Sequence, residues 1–199
     1  VKDNRISHAQ LLLGPAGSGN LALAFAYAQY IFCSNKGEHD SCGECPSCLK
    51  MQKIAHPDFH FVFPVYKLKD GRETISDDLI ADMREALTQN PYLELDEFLD
   101  HHGIENKQAQ IYVGESASIL RKLSFKAYEG EYRIVIIWKP EKMNVQAANK
   151  ILKMIEEPPE RTLFIMVAEN TDLMLATILS RTQMVKIKKT DDASMQQAL

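Results

Sequence analysis

The sequence predicts an α/β domain in which helices cover both faces of a parallel sheet. Apolar runs rich in β-branched and aromatic residues recur along the chain, and helical patterns separate most of them. The run "RIVIIW" at residues 133–138 has no polar residue after its first arginine, and such runs suit strands that are buried on both faces. This alternation of strands and helices favours a three-layer domain.

The predicted strands lie at residues 10–13, 59–65, 110–113, 132–138, 162–168 and 184–187. A helix at residues 21–32 has its apolar stripe at helical spacing: Leu21, Phe25, Ala28 and Phe32. A second helix, at residues 144–157, has a predicted inner face of Val145, Ala148, Ile151, Leu152 and Ile155. Pro158 and Pro159 end it, because proline lacks a backbone donor and clashes with the preceding turn. A third helix is predicted at residues 172–180.

The composition indicates one globular core and no membrane span. A chain of 199 residues that is 45% hydrophobic and 25% charged can bury one core, with or without a small appendage. Its net charge of −4 argues against one broad basic face for nucleic acid. Neither a run of about 18 apolar residues nor a signal-peptide core is present, so we expect a cytoplasmic protein. The abrupt start and end suggest a fragment of something longer.

The stretch "LLLGPAGSGNL" at residues 11–21 has the layout of a phosphate-binding loop, G-x-x-x-x-G-K-[ST], between a strand and a helix. Gly14 and Gly19 occupy the motif's glycine positions, with Gly17 between them. Asn20 replaces the lysine that reaches the phosphates, and Leu21 replaces the hydroxyl that holds Mg²⁺. Losing both contacts lowers affinity by about three decades. We therefore expect no hydrolysis and no tight ATP binding. Weak binding of phosphate or ADP, or a merely structural turn, are the alternatives.

The end of strand 132–138 departs from an ATPase in the same direction. ATPases of this type follow an apolar strand with acidic residues that hold Mg²⁺ and orient water. Here Trp138 and Lys139 stand at the strand end, and Glu141 follows too far along to replace those acids without rearrangement.

All four cysteines lie within residues 33–48, as Cys33, Cys42, Cys45 and Cys48. Two C-x2-C spacings present thiolates to one centre, and four thiolates satisfy tetrahedral Zn²⁺ without leaving a position for water. The sequence thus predicts a structural zinc site. Two disulfides are the alternative, which a cytoplasmic location disfavours, and His39 is an alternative ligand.

Residues 66–108 are too long for an ordinary connection between elements. They contain a helical pattern at residues 77–88, with Ser76 as its predicted N-cap, and a shorter one at residues 96–102 that Gly103 closes. We interpret this segment as a helical insertion without visible chemistry of its own.

Five passages occur in a characteristic order: "HAQLLLGPAGSG" at 8–19, the cysteine window, "RIVIIWKPEKMNVQAANKILKMIEEPPERTLFIMV" at 133–167, "AEN" at 168–170 and "TILSRTQ" at 177–183. Together they resemble the bacterial clamp-loader subunits of DNA polymerase III, most closely those of the delta-prime type. The combination of "AANKILKMIEEPP" with "SRTQ" is the most specific part. The insertion at residues 66–108 is absent from the usual pattern of this family.

The resemblance implies a P-loop NTPase-like (AAA+) domain over residues 1–185. It implies that residues 186–199 begin a lid domain, and that the rest of the lid and a C-terminal collar domain lie outside this chain. The implied partners are gamma/tau and delta subunits, the sliding clamp indirectly, and primed DNA in the complex.

The resemblance also implies a role for Arg181. Ser180, Arg181 and Thr182 stand where the family has a Ser-Arg-Cys motif, whose arginine enters the neighbouring subunit's nucleotide site. A guanidinium can hold two phosphate oxygens at once, and arginine fingers contribute about 10³–10⁵ in rate. The alternative is that Arg181 only satisfies the last carbonyls of the helix before it.

Other charged residues have weaker interpretations. Glu169 and Asn170 stand where the family has a sensor group, or they only cap the strand end. A basic run of Arg121, Lys122 and Lys126 either approaches DNA or forms a solvated face. Lys150 and Lys153 suit a subunit interface as well as DNA.

Three functions follow from these patterns. The first is a non-hydrolysing subunit that completes a neighbour's ATPase site in the polymerase complex. The second is an active gamma/tau-like ATPase with an unusual loop. The third is a zinc-dependent nucleic-acid-binding module, which the acidic balance disfavours.

Overall fold

The structure is a computed structural model that describes residues 6–67, 73–101 and 109–189. Its strands are β1 (Ala9–Leu13), β2 (Phe59–Val62), β3 (Arg133–Trp138), β4 (Thr162–Ala168) and β5 (Gln183–Lys186). They form one sheet in the spatial order β2-β3-β4-β1-β5, and every neighbouring pair is parallel.

Helices cover both faces of this sheet. They are α1 (Asn20–Phe32), α2 (Pro46–Gln52), α3 (Ile80–Gln89), α4 (Leu95–His101), α5 (Val113–Leu123), α6 (Val145–Glu156) and α7 (Ala176–Leu179). Short 3₁₀ helices span Ser76–Leu79 and Pro140–Lys142. The predicted α/β class, with three layers and a parallel sheet, is confirmed.

The core is divided by the sheet, because successive side chains of a strand point to opposite faces. Leu12 of β1 joins an apolar cluster with residues of α1 to α4, whereas its neighbour Leu11 joins a second cluster with residues of α5, α6 and α7. All seven residues of β4 are buried, as expected for a central parallel strand. The four residues of β5, at the end of the sheet order, are exposed.

The parallel arrangement gives the sheet two distinct edges. We call the edge where β1, β3 and β4 end, at Leu13, Trp138 and Ala168, the carboxyl edge. The amino edge is the opposite one, where β1 and β5 begin at Ala9 and Gln183. Ligand sites of parallel α/β sheets form at the carboxyl edge.

Strand β2 is shorter than the predicted strand at residues 59–65. The N–H of Phe63 donates to Ser76 Oγ at 3.0 Å, and the same hydroxyl donates to the Phe63 carbonyl at 3.1 Å. Pro64 then has no N–H to offer. The predicted role of Ser76 as an N-cap is therefore wrong, because its buried hydroxyl binds Phe63 and Glu115.

The strand predicted at residues 110–113 is also wrong. Gln110 pairs antiparallel with Val65 and Ile111 pairs parallel with Met143, each as an isolated bridge. Val113 already begins α5. These residues connect the insertion to the sheet without extending it.

Two helix predictions need correction on the other face. The helix predicted at residues 172–180 is only α7, because the Asn170 side chain accepts from the N–H of Asp172 at 2.7 Å and forms a turn there. In α6, Val145 is 65% exposed instead of buried, since it is the first helical residue. Asn144 caps that helix by accepting from the N–H of Ala147 at 2.7 Å.

The predicted insertion at residues 66–108 contains the 3₁₀ helix Ser76–Leu79, α3 and α4 in its described part. The insertion packs against the α1 face of the sheet through four buried side chains: Met83, Leu87, Leu95 and Phe98. The predicted cap Gly103 and most of the predicted lid segment, residues 190–199, lie outside the described residues.

Candidate functional site

The glycine-rich loop has the backbone conformation that its glycines allow. Gly17 and Gly19 both have φ of 72°, in the left-handed region that favours glycine. Asn20 begins α1 and is buried. Its Nδ2 donates to the carbonyls of Gly14 at 3.2 Å and Ala168 at 3.4 Å, and its Oδ1 accepts from the N–H of Leu21 at 2.9 Å. The amide therefore joins the loop to the end of β4.

Leu21 also faces inward. Its side chain is 5% exposed and belongs to the core cluster on the α1 face. The position that holds Mg²⁺ in a working loop is thus part of the hydrophobic core.

Lys139 occupies the end of β3, as the sequence predicts, with φ of 52°. Its ammonium lies 2.7 Å from Glu169 Oε1 and 3.7 Å from Glu94 Oε2, and its side chain is only 10% exposed. A cation therefore stands beside the loop, but it comes from a strand end and is paired with two carboxylates.

Glu141 lies in the 3₁₀ helix Pro140–Lys142 that follows Lys139. Its Oε1 accepts from the N–H of Glu169 at 3.3 Å, and its Oε2 is shut off from solvent without a hydrogen-bond partner among the described residues. Burial raises the pKa of the Glu141 carboxyl above its ordinary value. Such a carboxyl is a poor metal ligand, because metal binding needs the ionised form.

The insertion covers the loop, which the sequence did not predict. Glu94 Oε1 accepts from the N–H of Gly17 at 3.2 Å, and a methyl group placed on Gly19 would lie 3.3 Å from Cε1 of Tyr92. The cavity that remains between the loop and these residues is about 20 Å³ and also reaches Trp138 and Glu169. That volume holds about one water molecule.

The four cysteine thiols converge as predicted. Cys33 is the C-cap residue that follows α1, and Cys45 is the N-cap residue of α2. Cys48 lies in the first turn of α2, whose first residue is Pro46. Gly43, with φ of 73°, turns the chain between Cys42 and Cys45. All four Sγ atoms lie within 4.8 Å of one another.

The spacing of the sulfurs fits a tetrahedral metal ion. The Sγ–Sγ distances are 3.5 Å for Cys33 and Cys42, 4.0 Å for Cys42 and Cys48, and 4.0 Å for Cys33 and Cys45. A tetrahedral ion with bonds of about 2.3 Å separates its sulfurs by about 3.8 Å, whereas a disulfide needs about 2.05 Å. The N–H groups of Cys42 and Cys45 each donate to a neighbouring sulfur at 3.3 Å, which favours thiolates.

His39 does not join this cluster. Its side chain is 82% exposed, and its Nε2 lies 3.8 Å from Glu38 Oε1. Among the described residues, the four thiols are therefore the group that could hold a metal ion.

Arg181 lies on the surface directly after α7. Its Nε is 2.8 Å from Glu156 Oε1, at the end of α6. Its Nη1 donates to the Thr177 carbonyl and to Ser180 Oγ, both at 3.2 Å. One carbonyl of α7 is thus satisfied by the arginine, as the capping alternative expects, while the side chain remains 42% exposed. Thr182 Oγ1 donates to the Leu179 carbonyl at 3.2 Å.

Arg181 and the loop lie at opposite edges of the sheet. Gln183 pairs with Gln10 of β1, so Arg181 precedes the amino edge, whereas Gly14 follows the carboxyl edge. Four strand levels separate Gln183 from Gly14, which is about 13 Å at 3.3 Å per residue, and Arg181 lies beyond them in the turn that precedes β5. Arg181 therefore cannot reach the loop of its own chain.

The remaining predicted residues do not gather at one site. Asn170 forms the turn that precedes α7, and Glu169 pairs with Lys139. The ammonium of Lys122 lies 2.6 Å from Asp77 Oδ1. Four cations are exposed on helices or loops: Arg121, Lys126, Lys150 and Lys153.

Comparison with known proteins identifies the family. The model of the family described as "DNA polymerase III, delta subunit" matches residues 1–97 and 93–191. The chain belongs to this family of replication proteins.

Several relatives are named as delta' subunits of DNA polymerase III, and others as tau or gamma subunits. The protein of Haemophilus influenzae is 30% identical over 88% of this chain and 41% of its own length, and that of Bacillus subtilis is 27% identical over 92% and 43%. A tau/gamma subunit of Haemophilus influenzae is 23% identical over 100% of this chain and 23% of its own length. The chain thus spans about two fifths of the delta' relatives.

Among solved structures, a gamma-subunit-related DNA polymerase III protein from Thermotoga maritima matches with 15% identity and a TM-score of 0.48. The match covers 94% of this chain and 43% of that one. No helix of residues 6–67, 73–101 or 109–189 combines the length and the apolar character that crossing a bilayer requires.

Proposed function

We propose that this chain is part of a clamp-loader subunit of the delta-prime type, which helps to place the sliding clamp on primed DNA. In this role it does not hydrolyse ATP itself. It supplies Arg181, within the Ser180-Arg181-Thr182 motif, to the ATPase site of a neighbouring gamma/tau subunit. A delta subunit and primed DNA complete the assembly in the bacterial cytoplasm.

The observation that carries this proposal is the position of Arg181. A surface guanidinium at the opposite edge of the sheet from its own loop can act on a nucleotide only if a second subunit brings that nucleotide to it. Its present partner, Glu156, is 39% exposed, and exposed ion pairs contribute only about 0–1 kcal/mol. Exchange of Glu156 for a phosphate therefore costs little. A guanidinium then stabilises the charge that spreads over the phosphoryl oxygens in the transition state.

The state of the chain's own loop supports the non-hydrolysing part of the proposal. Asn20 and Leu21 face the protein interior, and the remaining cavity of about 20 Å³ is far below the roughly 300–1,000 Å³ of ligand pockets. An active gamma/tau-like ATPase would need a lysine and a hydroxyl in those two positions.

The cysteine cluster fits a structural role in the same subunit. Cys33, Cys42, Cys45 and Cys48 would hold one Zn²⁺ with four thiolates, which leaves no position for a reacting water. The ion would join the end of α1 to the start of α2.

The test is Arg181→Ala in a reconstituted loader with clamp and primed DNA. We expect ATP turnover at the neighbouring site to fall by about 10³ or more, while zinc content and helix content remain those of the wild type. Arg161→Ala is the matched control, because Arg161 is also an exposed arginine that is paired with one glutamate, Glu131. Unchanged turnover in the Arg181 variant would remove the proposed role.

A further inference from the structure

The helical insertion places a carboxylate where a working loop binds phosphate. In such loops the phosphate oxygens accept from backbone N–H groups and from a lysine ammonium. Glu94 contacts both kinds of group, the N–H through a hydrogen bond and the ammonium through a longer ion pair. Its Oε1 accepts from the N–H of Gly17 at 3.2 Å, and its Oε2 lies 3.7 Å from the ammonium of Lys139.

The flanking residues fix Glu94 in this position. Leu93 and Leu95 are buried, at 8% and 1% exposure, and both belong to the core cluster on the α1 face. Tyr92 lies against Gly19, and the N–H of Glu94 donates to Glu97 Oε2 at 3.3 Å. The carboxylate is therefore presented by a segment whose own packing holds it, although 37% of the Glu94 side chain is exposed.

We propose that Glu94 occupies the phosphate position of the loop, so that the chain's own insertion closes the cradle against nucleotide. This inference rests on the proposed function, because only a subunit that does not use ATP can keep its loop filled. Lys139 takes the place of the missing loop lysine, but it neutralises a carboxylate of the same chain. Glu169 Oε1 lies closer to the Lys139 ammonium, at 2.7 Å, so removal of the Glu94 carboxylate should leave a small anion site formed by the N–H of Gly17 and an ammonium that is still shared with Glu169.

Hydrogen exchange in the full-length protein reads the contact directly, because the Gly17 amide is the donor. In Glu94→Ala we expect that amide to exchange about tenfold faster than in the wild type, as one hydrogen bond to a charged group is lost. Pyrophosphate at millimolar concentration should restore slow exchange in this variant and have no effect on the wild type. Glu94→Gln keeps an acceptor and should lie between the two.

Glu85→Ala is the matched control, since Glu85 is an exposed glutamate on α3 of the same insertion. It should leave exchange at Gly17 unchanged. An equal rate at Gly17 in the wild type and Glu94→Ala would overturn the proposal, and so would a faster rate that pyrophosphate leaves untouched. These outcomes leave the role of Arg181 unaffected, because that role is measured as turnover in the assembled loader.

Discussion

Both edges of the sheet carry polar and charged side chains, but those at the carboxyl edge are bound inside the chain and the arginine at the amino edge lies at the surface. At the carboxyl edge, polar side chains have their partners within the chain: Asn20 binds backbone groups, Glu94 binds the N–H of Gly17, and Lys139 binds Glu169. At the amino edge, Arg181 is held at the surface by one exposed carboxylate, Glu156, and by groups of its own helix.

This difference indicates which edge is available to other molecules. Groups that are bound to one another inside a chain lose those contacts before they bind a ligand, whereas a surface guanidinium changes partner at little cost. At the edge where parallel sheets usually bind ligands, the cavity beside the loop is only about 20 Å³. The opposite, amino edge carries Arg181, the candidate catalytic group.

The cysteine cluster belongs to the amino side of this comparison. Helix α1 runs back from the loop, and its last residue Phe32 lies against Gly130, just before β3 begins. Cys33 then starts the cluster. A metal ion there would fix the end of α1 that lies far from the loop.

The largest effect should follow from loss of the metal. We expect about one zinc per chain in the wild type, and its loss in Cys48→Ser with a decrease in unfolding free energy of several kcal/mol, because structural zinc contributes about 10–16 kcal/mol in small domains. Metal analysis and denaturant unfolding measure both quantities. Ser47→Ala, in the same helix, should change neither.

Hydrogen exchange would sharpen this comparison. Faster exchange should centre on α2 and the end of α1, whereas peptides of the carboxyl edge change less. A metal-free preparation with full stability would show that the thiols have another role.

Asn20→Lys should not restore hydrolysis. Leu21 remains in the core, Glu94 remains on the loop, and the acids of a working site are still missing at Trp138 and Lys139. The variant should instead be less stable by about 1–3 kcal/mol, because the carbonyls of Gly14 and Ala168 lose a buried donor. Urea unfolding measures the loss, with Asn149→Lys on the exposed side of α6 as the control.

Substantial ATPase activity in Asn20→Lys would contradict the difference between the two edges, because one added charge would then be enough for the loop at the carboxyl edge to use ATP.

A smaller effect is expected from Glu141→Gln, and it depends on pH. Burial raises the pKa of Glu141 in the folded state above its ordinary value of about 4.5. The protonated carboxyl therefore contributes fully to the stability of the wild type below pH 4.5, and this contribution is lost as the pH rises through the folded pKa. Glutamine does not titrate. The stability of the variant relative to the wild type should therefore increase with pH, by about 1.4 kcal/mol for each pH unit that separates the folded pKa from the unfolded pKa.

Thermal unfolding from pH 4 to pH 8, about the range in which a raised carboxyl pKa acts, measures the trend. Gln146→Asn on the exposed side of α6 is the control, and its stability difference should stay flat because neither amide titrates. A decrease with pH for Glu141→Gln would mean that the ionised carboxylate is stabilised at the carboxyl edge.

Local patterns in the sequence predicted most of the sheet and its helices. Continuous apolar runs predicted β3 and β4, because buried parallel strands need no polar face. The cysteine spacing predicted the convergence of the four thiols for a similar reason, since all four ligands lie within one short window. The strand predicted at residues 110–113 was wrong because the same apolar pattern serves a connection with two isolated bridges.

The closure of the loop could not be predicted in this way. Gly17 and Glu94 are 77 positions apart, and "PYLELDEF" contains no motif that marks Glu94. The sequence showed that the loop lacks its lysine and hydroxyl. It did not show that Asn20 turns inward or that the insertion covers the cradle, because both depend on long-range packing.

Calorimetric titration of the full-length protein with MgATP tests the central claim most directly. The account predicts no saturable uptake in the range where loops with a lysine and a hydroxyl saturate, since affinity is lower by about three decades. Tight, magnesium-dependent binding of ATP by this protein alone would contradict it.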